Sequence, residues 1–344
     1  ALTIGKLWRI CYADLVVGLW PDAKRPCSPS KAQAQMINIF FAARPEKFHL
    51  YEAHLKRCLS RKGIAANLTT ACAPEDVDYL IYAPDSTIQD LTPYTRCKAV
   101  LSLWAGVETF VGNETLTQPL CRMVDSGLRQ GMTEWVTGHT LRYHLGMDQH
   151  IVNPGQIWDE DHPPLAQDRP VTILGLGALG EACGTALRLL GFPVTGWSRT
   201  AKDVAGITCY HGPEGLGHAL ATAQILILLL PDTPQTENVL NSETLAQMPK
   251  GSVIINPGRG PLIDDKALIS ALKQGHISAA CLDVFRVEPL PQDHPYWTLP
   301  NVTVTPHIAS GTRAATAAEV VVGNIARGEQ GLPFLHLVDR AAGY

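Results

Sequence analysis

The sequence predicts an α/β protein of two doubly wound, parallel-sheet domains. Three observations predict it. Short, mostly apolar runs recur between helical or turn signals, first at residues 37–41, 79–82, 99–103 and 122–124, then at 171–174, 194–197, 225–230, 252–256, 279–282 and 302–304. Most runs lack polar alternation, as strands covered by helices on both faces do. A proline-rich loop at 153–170 separates the two series, and 344 residues suit two domains.

Each element has its own signal. Met36 opens the first strand, Ile37-Asn38-Ile39-Phe40-Phe41. Pro45 suits a first helical turn, Phe48, Tyr51, Leu55 and Leu59 share one helical face, and Gly63 ends that helix. Residues 131–150 read as one long helix, with Met132, Trp135, Val136, His139 and Tyr143 at helical spacing. In the second series residues 265–274 read as a helix with Asp264 as its N-cap, and 312–328 as the last helix. Residues 1–35 carry Trp8, Trp20, Pro21, Pro26 and Pro29 without a sustained period. Asp14 interrupts the apolar stretch a signal peptide needs, and Asp14 and Asp22 do not suit a transit peptide. We expect this segment to be an extension outside the fold, or else an irregular arm packed on the surface or on a partner subunit. The expected domains are 36–125 joined by 313–344, with 126–312 inserted between them.

Composition excludes several function classes. The net charge is −4 and the pI about 6.3, which gives no footprint for nucleic acid or an anionic membrane. The longest purely apolar run is residues 225–230, against roughly 20 residues for a bilayer span. Nine cysteines, with no C-x-x-C pair, argue against a disulfide framework and a zinc site and suit a cytoplasmic protein. No metal site is expected: His139 and His144, like His49 and His54, stand five apart and do not share a helical face well.

The run 171–174 leads straight into Gly175-Leu176-Gly177-Ala178-Leu179-Gly180. This is G-x-G-x-x-G between a strand and a helix. Gly175 permits the tight turn, Gly177 lets amides approach a pyrophosphate, and Gly180 lets the helix lie close on the strand. The helix N-terminus then offers unpaired N–H groups to the phosphates. An NAD site usually ends the next strand with Asp or Glu for the ribose 2′-hydroxyl. Here Ser198 stands there, followed by Arg199. A hydroxyl and a guanidinium suit a 2′-phosphate, so NADPH is the expected coenzyme and NADH the weaker alternative.

Three later segments end strands in polar residues. Asn256-Pro257-Gly258-Arg259-Gly260 presents an arginine, Asp283 is followed by Glu288, and Thr305-Pro306-His307 presents a histidine. Arg259 precedes Glu288 by 29 residues, and Glu288 precedes His307 by 19. With these motifs the chain from Met36 onward resembles the D-isomer-specific 2-hydroxyacid dehydrogenase family. The likeness includes Leu230-Pro231-Asp232-Thr233-Pro234-Gln235-Thr236 and Trp104-Ala105-Gly106-Val107-Glu108. Trp197-Ser198-Arg199-Thr200, residues 286–291 and residues 338–344 look most like its bacterial glyoxylate and hydroxypyruvate reductase branch.

The resemblance implies a flavodoxin-like substrate domain, an inserted Rossmann nucleotide domain and a homodimer. It implies reduction of a small 2-oxo acid, glyoxylate to glycolate or hydroxypyruvate to D-glycerate. His307 would be the general acid, with Glu288 orienting its ring and favouring the imidazolium. Arg259 would hold the carboxylate and polarise the carbonyl. Trp104, Ala105, Gly106 and Trp297 would complete the substrate site. Gly175, Gly177, Ala178, Leu179, Gly180, Ser198, Arg199, Pro231, Thr236, Pro257 and Asp283 would meet the coenzyme, Asp283 at the nicotinamide end. The plainer alternative for Arg259 is a structural ion pair with Glu288 as its partner. A phosphorylated substrate is not expected, because no basic cluster lies near Trp104 in the sequence. Two rivals stand beside this reading: an NAD(H)-dependent dehydrogenase for a bulkier 2-oxo acid, and a nucleotide-sensing, co-repressor-like binding protein that keeps the same fold.

Overall fold

The computed structural model describes residues Met36–Tyr344. The expectation made for residues 1–35 lies outside the described residues.

The first sheet is assembled early in the chain. β1 (Ile37–Phe41) buries Ile37, Ile39 and Phe41 on one face. Onto that face α1 (Phe48–Arg61) lays Tyr51, Leu55, Cys58 and Leu59, and Gly63 ends the helical run at φ +66°. β2 (Ala66–Thr69), β3 (Tyr79–Tyr82), β4 (Ala99–Ser102) and β5 (Leu120–Cys121) complete a parallel sheet of order β2-β1-β3-β4-β5. In β3, Tyr79 and Ile81 enter the core on one face and Leu80 and Tyr82 the core on the other. β2 has no clear signal in the sequence because it is a half-exposed edge strand. The strand expected at 122–124 lies instead at Leu120–Cys121. There the chain turns off the sheet, and the Arg122 and Met123 amides donate to the His336 and Trp104 carbonyls at 3.0 Å each.

The crossing to the second sheet is a helix that starts earlier than expected. α2 (Ser126–His144) begins at Asp125, whose carboxylate accepts from the Gly127 and Leu128 amides. The single helix expected over 131–150 is broken. Gly146 adopts φ +60° and α3 (Met147–Ile151) follows as a separate short helix.

The second sheet is seven-stranded and parallel. It is built by β6 (Val171–Leu174), α4 (Ala178–Leu189), β7 (Val194–Ser198), β8 (Thr208–His211), α5 (Gly212–Leu220), β9 (Ile225–Leu228), α6 (Ser242–Ala246), β10 (Ser252–Asn256), α7 (Asp265–Lys273), β11 (Ile277–Leu282) and β12 (Val302–Val304). Their order is β12-β11-β10-β9-β6-β7-β8. Asp264 caps α7, accepting from the Lys266 and Ala267 amides. The chain order reverses between β6 and β9, the switch point where open α/β sheets bind ligands.

α8 (Ala314–Glu329) returns to the first domain. Its Ala317, Ala318, Val321, Val322 and Ile325 join the core under β1 and β3, where truncating one Val or Ile to a smaller side chain costs ~1–4 kcal/mol. The two interdomain crossings are tied together. Thr316 donates to the Asp125 carboxylate, and Ser310 donates to the Leu128 carbonyl at 2.6 Å.

Candidate active site

At the switch point β6 runs into the glycine turn. Gly175 sits at φ +109°, and a Cβ there would lie 2.5 Å from the Leu229 carbonyl oxygen. A Cβ on Gly180 would lie 1.8 Å from the Gly175 oxygen, so only glycine lets α4 approach β6 this closely. Gly175 and Gly180 are buried, Leu179 is half-buried, and Gly177 and Ala178 are exposed. Gly177 is the N-cap of α4 and supplies no capping side chain. The first-turn N–H groups of a 12-residue helix therefore stand open at the sheet edge, which fits the pyrophosphate of a dinucleotide.

β7 ends at Ser198, which is buried and donates its hydroxyl to the Thr200 carbonyl at 2.8 Å. Arg199 beside it is exposed, with its guanidinium 5.5 Å from the centre of the Tyr344 ring. The loop after β9 is closed by Thr236, which donates to the Pro231 carbonyl at 2.7 Å and accepts from the Thr233 amide at 2.9 Å. Within it, burial first and the Glu108 charge second hold the Asp232 carboxyl above the usual carboxylate range. Pro257 is buried.

Beyond β10, Asn256 folds the next loop back on itself. Its Nδ2 donates to the Arg259 carbonyl at 2.9 Å and its Oδ1 accepts from the Gly258 amide at 3.1 Å. The Arg259 guanidinium is then held from two sides, by Nε to Glu108 Oε1 at 3.0 Å and by Nη1 to the Gly258 carbonyl at 2.7 Å. Its ion-pair partner is Glu108, not Glu288. Nη2 lies over Gly106, only 2.0 Å from where a Cβ would be. The Ala105 and Gly106 amides have no acceptor among the described residues. A guanidinium thus lies beside a loop with two free amides, donors of the kind that suit a carboxylate.

His307 follows β12. Its Nδ1 donates to Glu288 Oε2 at 2.7 Å, and Glu288 Oε1 accepts from the Phe285 amide at 2.9 Å. This fixes the ring and leaves Nε2 as the exchangeable nitrogen. Asp283 lies beneath this loop. It is completely buried, and its carboxylate accepts from Thr305 Oγ1 at 2.5 Å, Ile308 N at 2.9 Å and Ala309 N at 2.8 Å. Its backbone carbonyl accepts from His307 N at 2.8 Å. Asp283 therefore shapes the His307 loop from beneath.

A cavity of about 460 Å³ opens beside His307 and Glu288. Phe285, Leu290, Trp297 and Val304 make it largely apolar, and Trp297 is half-exposed. Trp104 is also exposed. The fold brings to it a basic group that is remote in sequence: Lys47 Nζ lies 6.0 Å from its ring centre. Asp85 meets that charge at 2.6 Å and also pairs with Arg44. Among the described residues no group of three or more His, Cys, Asp or Glu is placed to hold a metal. No helix there is long and apolar enough to cross a membrane.

Glu108, Asn256 and Thr305 are site residues that sequence reasoning did not assign. Each stands within or beside a quoted motif; Asn256 acts on its own loop, whereas the partners of Glu108 and Thr305 lie 151 and 22 residues away along the chain.

Residues 140–309 match the family described as D-isomer specific 2-hydroxyacid dehydrogenase, NAD binding domain. A glyoxylate/hydroxypyruvate reductase A of Yersinia enterocolitica is 38% identical over 279 residues, covering 78% of this chain and 88% of that protein. The chain belongs to the D-isomer-specific 2-hydroxyacid dehydrogenase family. It is an NAD(P)-dependent oxidoreductase, and its two parallel-sheet domains are those of the family. Among solved structures, a family member from Xanthobacter autotrophicus Py2 in complex with NADPH and MES is 36% identical with a TM-score of 0.83, covering 90% of this chain and 99% of that one. An NADPH-dependent glyoxylate/hydroxypyruvate reductase from Sinorhizobium meliloti, in complex with NADP and sulfate, is 31% identical with a TM-score of 0.78 and covers the same shares.

Proposed function

We propose that this dehydrogenase is an NADPH-preferring reductase of small 2-oxo acids, converting glyoxylate to glycolate and hydroxypyruvate to D-glycerate. The observation that carries the reading is the His307–Glu288 pair, 2.7 Å apart, in a fold that also sets the Arg259 edge over Gly106. The bound nicotinamide supplies the hydride to the carbonyl carbon. Arg259 and the Ala105 and Gly106 amides hold the carboxylate, and the guanidinium polarises the C=O. Nε2 of His307 gives its proton to the carbonyl oxygen as the alkoxide forms, and takes it back in the reverse direction. Gly175, Gly177, Ala178, Leu179 and Gly180 cradle the pyrophosphate, and Pro231, Thr236 and Pro257 shape the wall of the coenzyme site. Ser198 and Arg199, with no carboxylate at the end of β7, support the 2′-phosphate of NADPH; NADH is the weaker coenzyme. Trp104 and Trp297 bound the substrate space. Asp283 acts through His307.

The apolar cavity beside His307 favours a second reading, a 2-oxo acid with a larger side chain. We also propose a homodimer in the cytoplasm. Ile151, Val152, Ile157, Trp158 and Leu165 expose an apolar arm between the domains that suits a second subunit, and the described cysteines are free thiols.

The deciding experiment is NADPH and NADH consumption with glyoxylate, hydroxypyruvate, pyruvate and a branched 2-oxo acid, run on the parent and on His307→Ala. We expect turnover of the two small acids with NADPH, and a loss of about 10²–10⁴-fold in kcat in the variant with coenzyme binding intact. Preference for the branched acid selects the second reading. No turnover of any 2-oxo acid with tight NADPH binding selects a sensor, and near-parent turnover in the variant removes His307 from the acid role.

A further inference from the structure

The segment 338–344 returns from α8 along the first domain and ends against the second. Val338 is buried, and its amide donates to the Leu120 carbonyl at 2.8 Å. Arg340 donates to the Leu116 and Gln118 carbonyls. The residues after it form a closed turn. Asp339 Oδ1 accepts from the Ala341 and Ala342 amides at 3.0 and 3.1 Å, and the Asp339 amide donates to the Tyr344 carbonyl at 3.0 Å. Tyr344 is thereby held in place, half-buried, with its ring 5.5 Å from the Arg199 guanidinium. A Cβ on neighbouring Gly343 would lie 3.8 Å from Thr233 Cγ2, so the turn touches the β9 loop as well.

Arg199 makes no ion pair among the described residues. An exposed arginine without a partner samples many rotamers, and a ligand must then freeze one of them. A guanidinium drawn over an aromatic ring has that sampling limited, while its N–H groups can still donate to an anion. We propose that Tyr344 is a positioning residue for coenzyme choice: its ring pre-aligns Arg199 for the 2′-phosphate of NADPH. The proposal rests on the reading that Arg199 binds that phosphate. It also gives the first domain, which carries Tyr344, a hand in selecting the coenzyme held by the second.

The test measures Kd for NADPH and NADH by fluorescence titration in four variants: Tyr344→Ala, Tyr344→Phe, Arg199→Ala and the Ala/Ala double. Tyr344→Ala is expected to raise Kd for NADPH about two- to fivefold and to leave that for NADH unchanged. Tyr344→Phe keeps the ring and should bind both nucleotides as the parent does. Arg199→Ala should raise Kd for NADPH about tenfold or more, and adding Tyr344→Ala to it should do nothing further. If Arg199→Ala affects both nucleotides alike, the reading of Arg199 fails and the proposal falls with it. If Arg199→Ala discriminates between the nucleotides but Tyr344→Ala does not, or if the Phe variant is as poor as the Ala variant, the proposal alone is overturned.

Discussion

Gly106→Ala separates the anchoring role of Arg259 from the stability of the fold. The new methyl would sit 2.0 Å from Arg259 Nη2, 2.6 Å from Glu108 Oε2 and 3.1 Å from Arg259 Cζ. Ordinary contact needs about 3.4 Å or more, so the guanidinium must retreat by ~1.4 Å. Every atom in the way belongs to the end of a flexible side chain, and Gly106 has no left-handed φ to lose. The domain should therefore melt within a few degrees of the parent, while the carboxylate anchor is displaced. A shift of about 1 Å in a positioning group costs on the order of 10²-fold, or ~2.7 kcal/mol of barrier. We expect kcat/KM for glyoxylate to fall by about that factor, with Kd for NADPH unchanged. Steady-state kinetics, nucleotide titration and a thermal melt on the same preparation supply the three readouts. A kcat/KM within threefold of the parent, at unchanged Tm, would show that Arg259 does not anchor the substrate where it lies over Gly106.

Three further outcomes follow from the same geometry. Gly180→Ala meets the Gly175 backbone oxygen at 1.8 Å, where no side chain can swing aside, so urea unfolding should show a loss of at least about 1–3 kcal/mol together with loss of coenzyme binding; parent-like values would contradict the close approach of α4 to β6. Asp283→Asn turns one end of a buried acceptor into a donor facing donors, which should cost about 1–3 kcal/mol and lower kcat about tenfold, and an unchanged kcat would detach Asp283 from the His307 loop. His144 is 6% exposed and rests edge-on against Phe192, and burial first, then the Arg169 charge, push its pKa below the usual histidine range. As pH falls below about 6.5 the unfolded chain therefore binds that proton before the folded one does, and stability declines. His144→Phe should flatten the acid side of a plot of Tm against pH, and a plot as steep as the parent's would clear His144 of that role.

The sequence was most informative where one local run decides the outcome. Strand, glycines and helix at 171–189 are contiguous, and Gly175 and Gly180 each stand where a Cβ would clash with backbone. The failures have a common cause. β2 and β8 are half-exposed edge strands whose residues, Ala-Asn-Leu-Thr and Thr-Cys-Tyr-His, need not be apolar. The helix expected over 131–150 rests on spacing that ends at Tyr143, and the break comes just beyond it at Gly146, which adopts a left-handed φ. Side-chain roles were hardest to read. Arg259 and Glu288 stand in adjacent motifs, yet the arginine's carboxylate is Glu108, 151 residues earlier and in the other domain. Lys47 is likewise close to Trp104 only in space.

The two halves of the site are built with different dependence on the cleft. His307 adopts φ +54°, a left-handed conformation that costs a non-glycine residue about 1–2 kcal/mol. Three donors on one buried carboxylate outweigh that cost, since each bond to a charged group contributes about 1.5–3 kcal/mol. Asp283, Thr305, Glu288 and His307 all follow strands of the second sheet, so the His307 ring is set within that domain alone. The anion site is different. Arg259 comes from that same domain, but Glu108 and the Ala105 and Gly106 amides come from the first. The Arg259 guanidinium thus has neighbours from both domains, since Glu108 and Gly106 stand on the Trp104 loop. On the proposed reading, a substrate carboxylate bound there would join the two domains, and domain closure would be coupled to anchoring the substrate while Glu288 already holds the His307 ring.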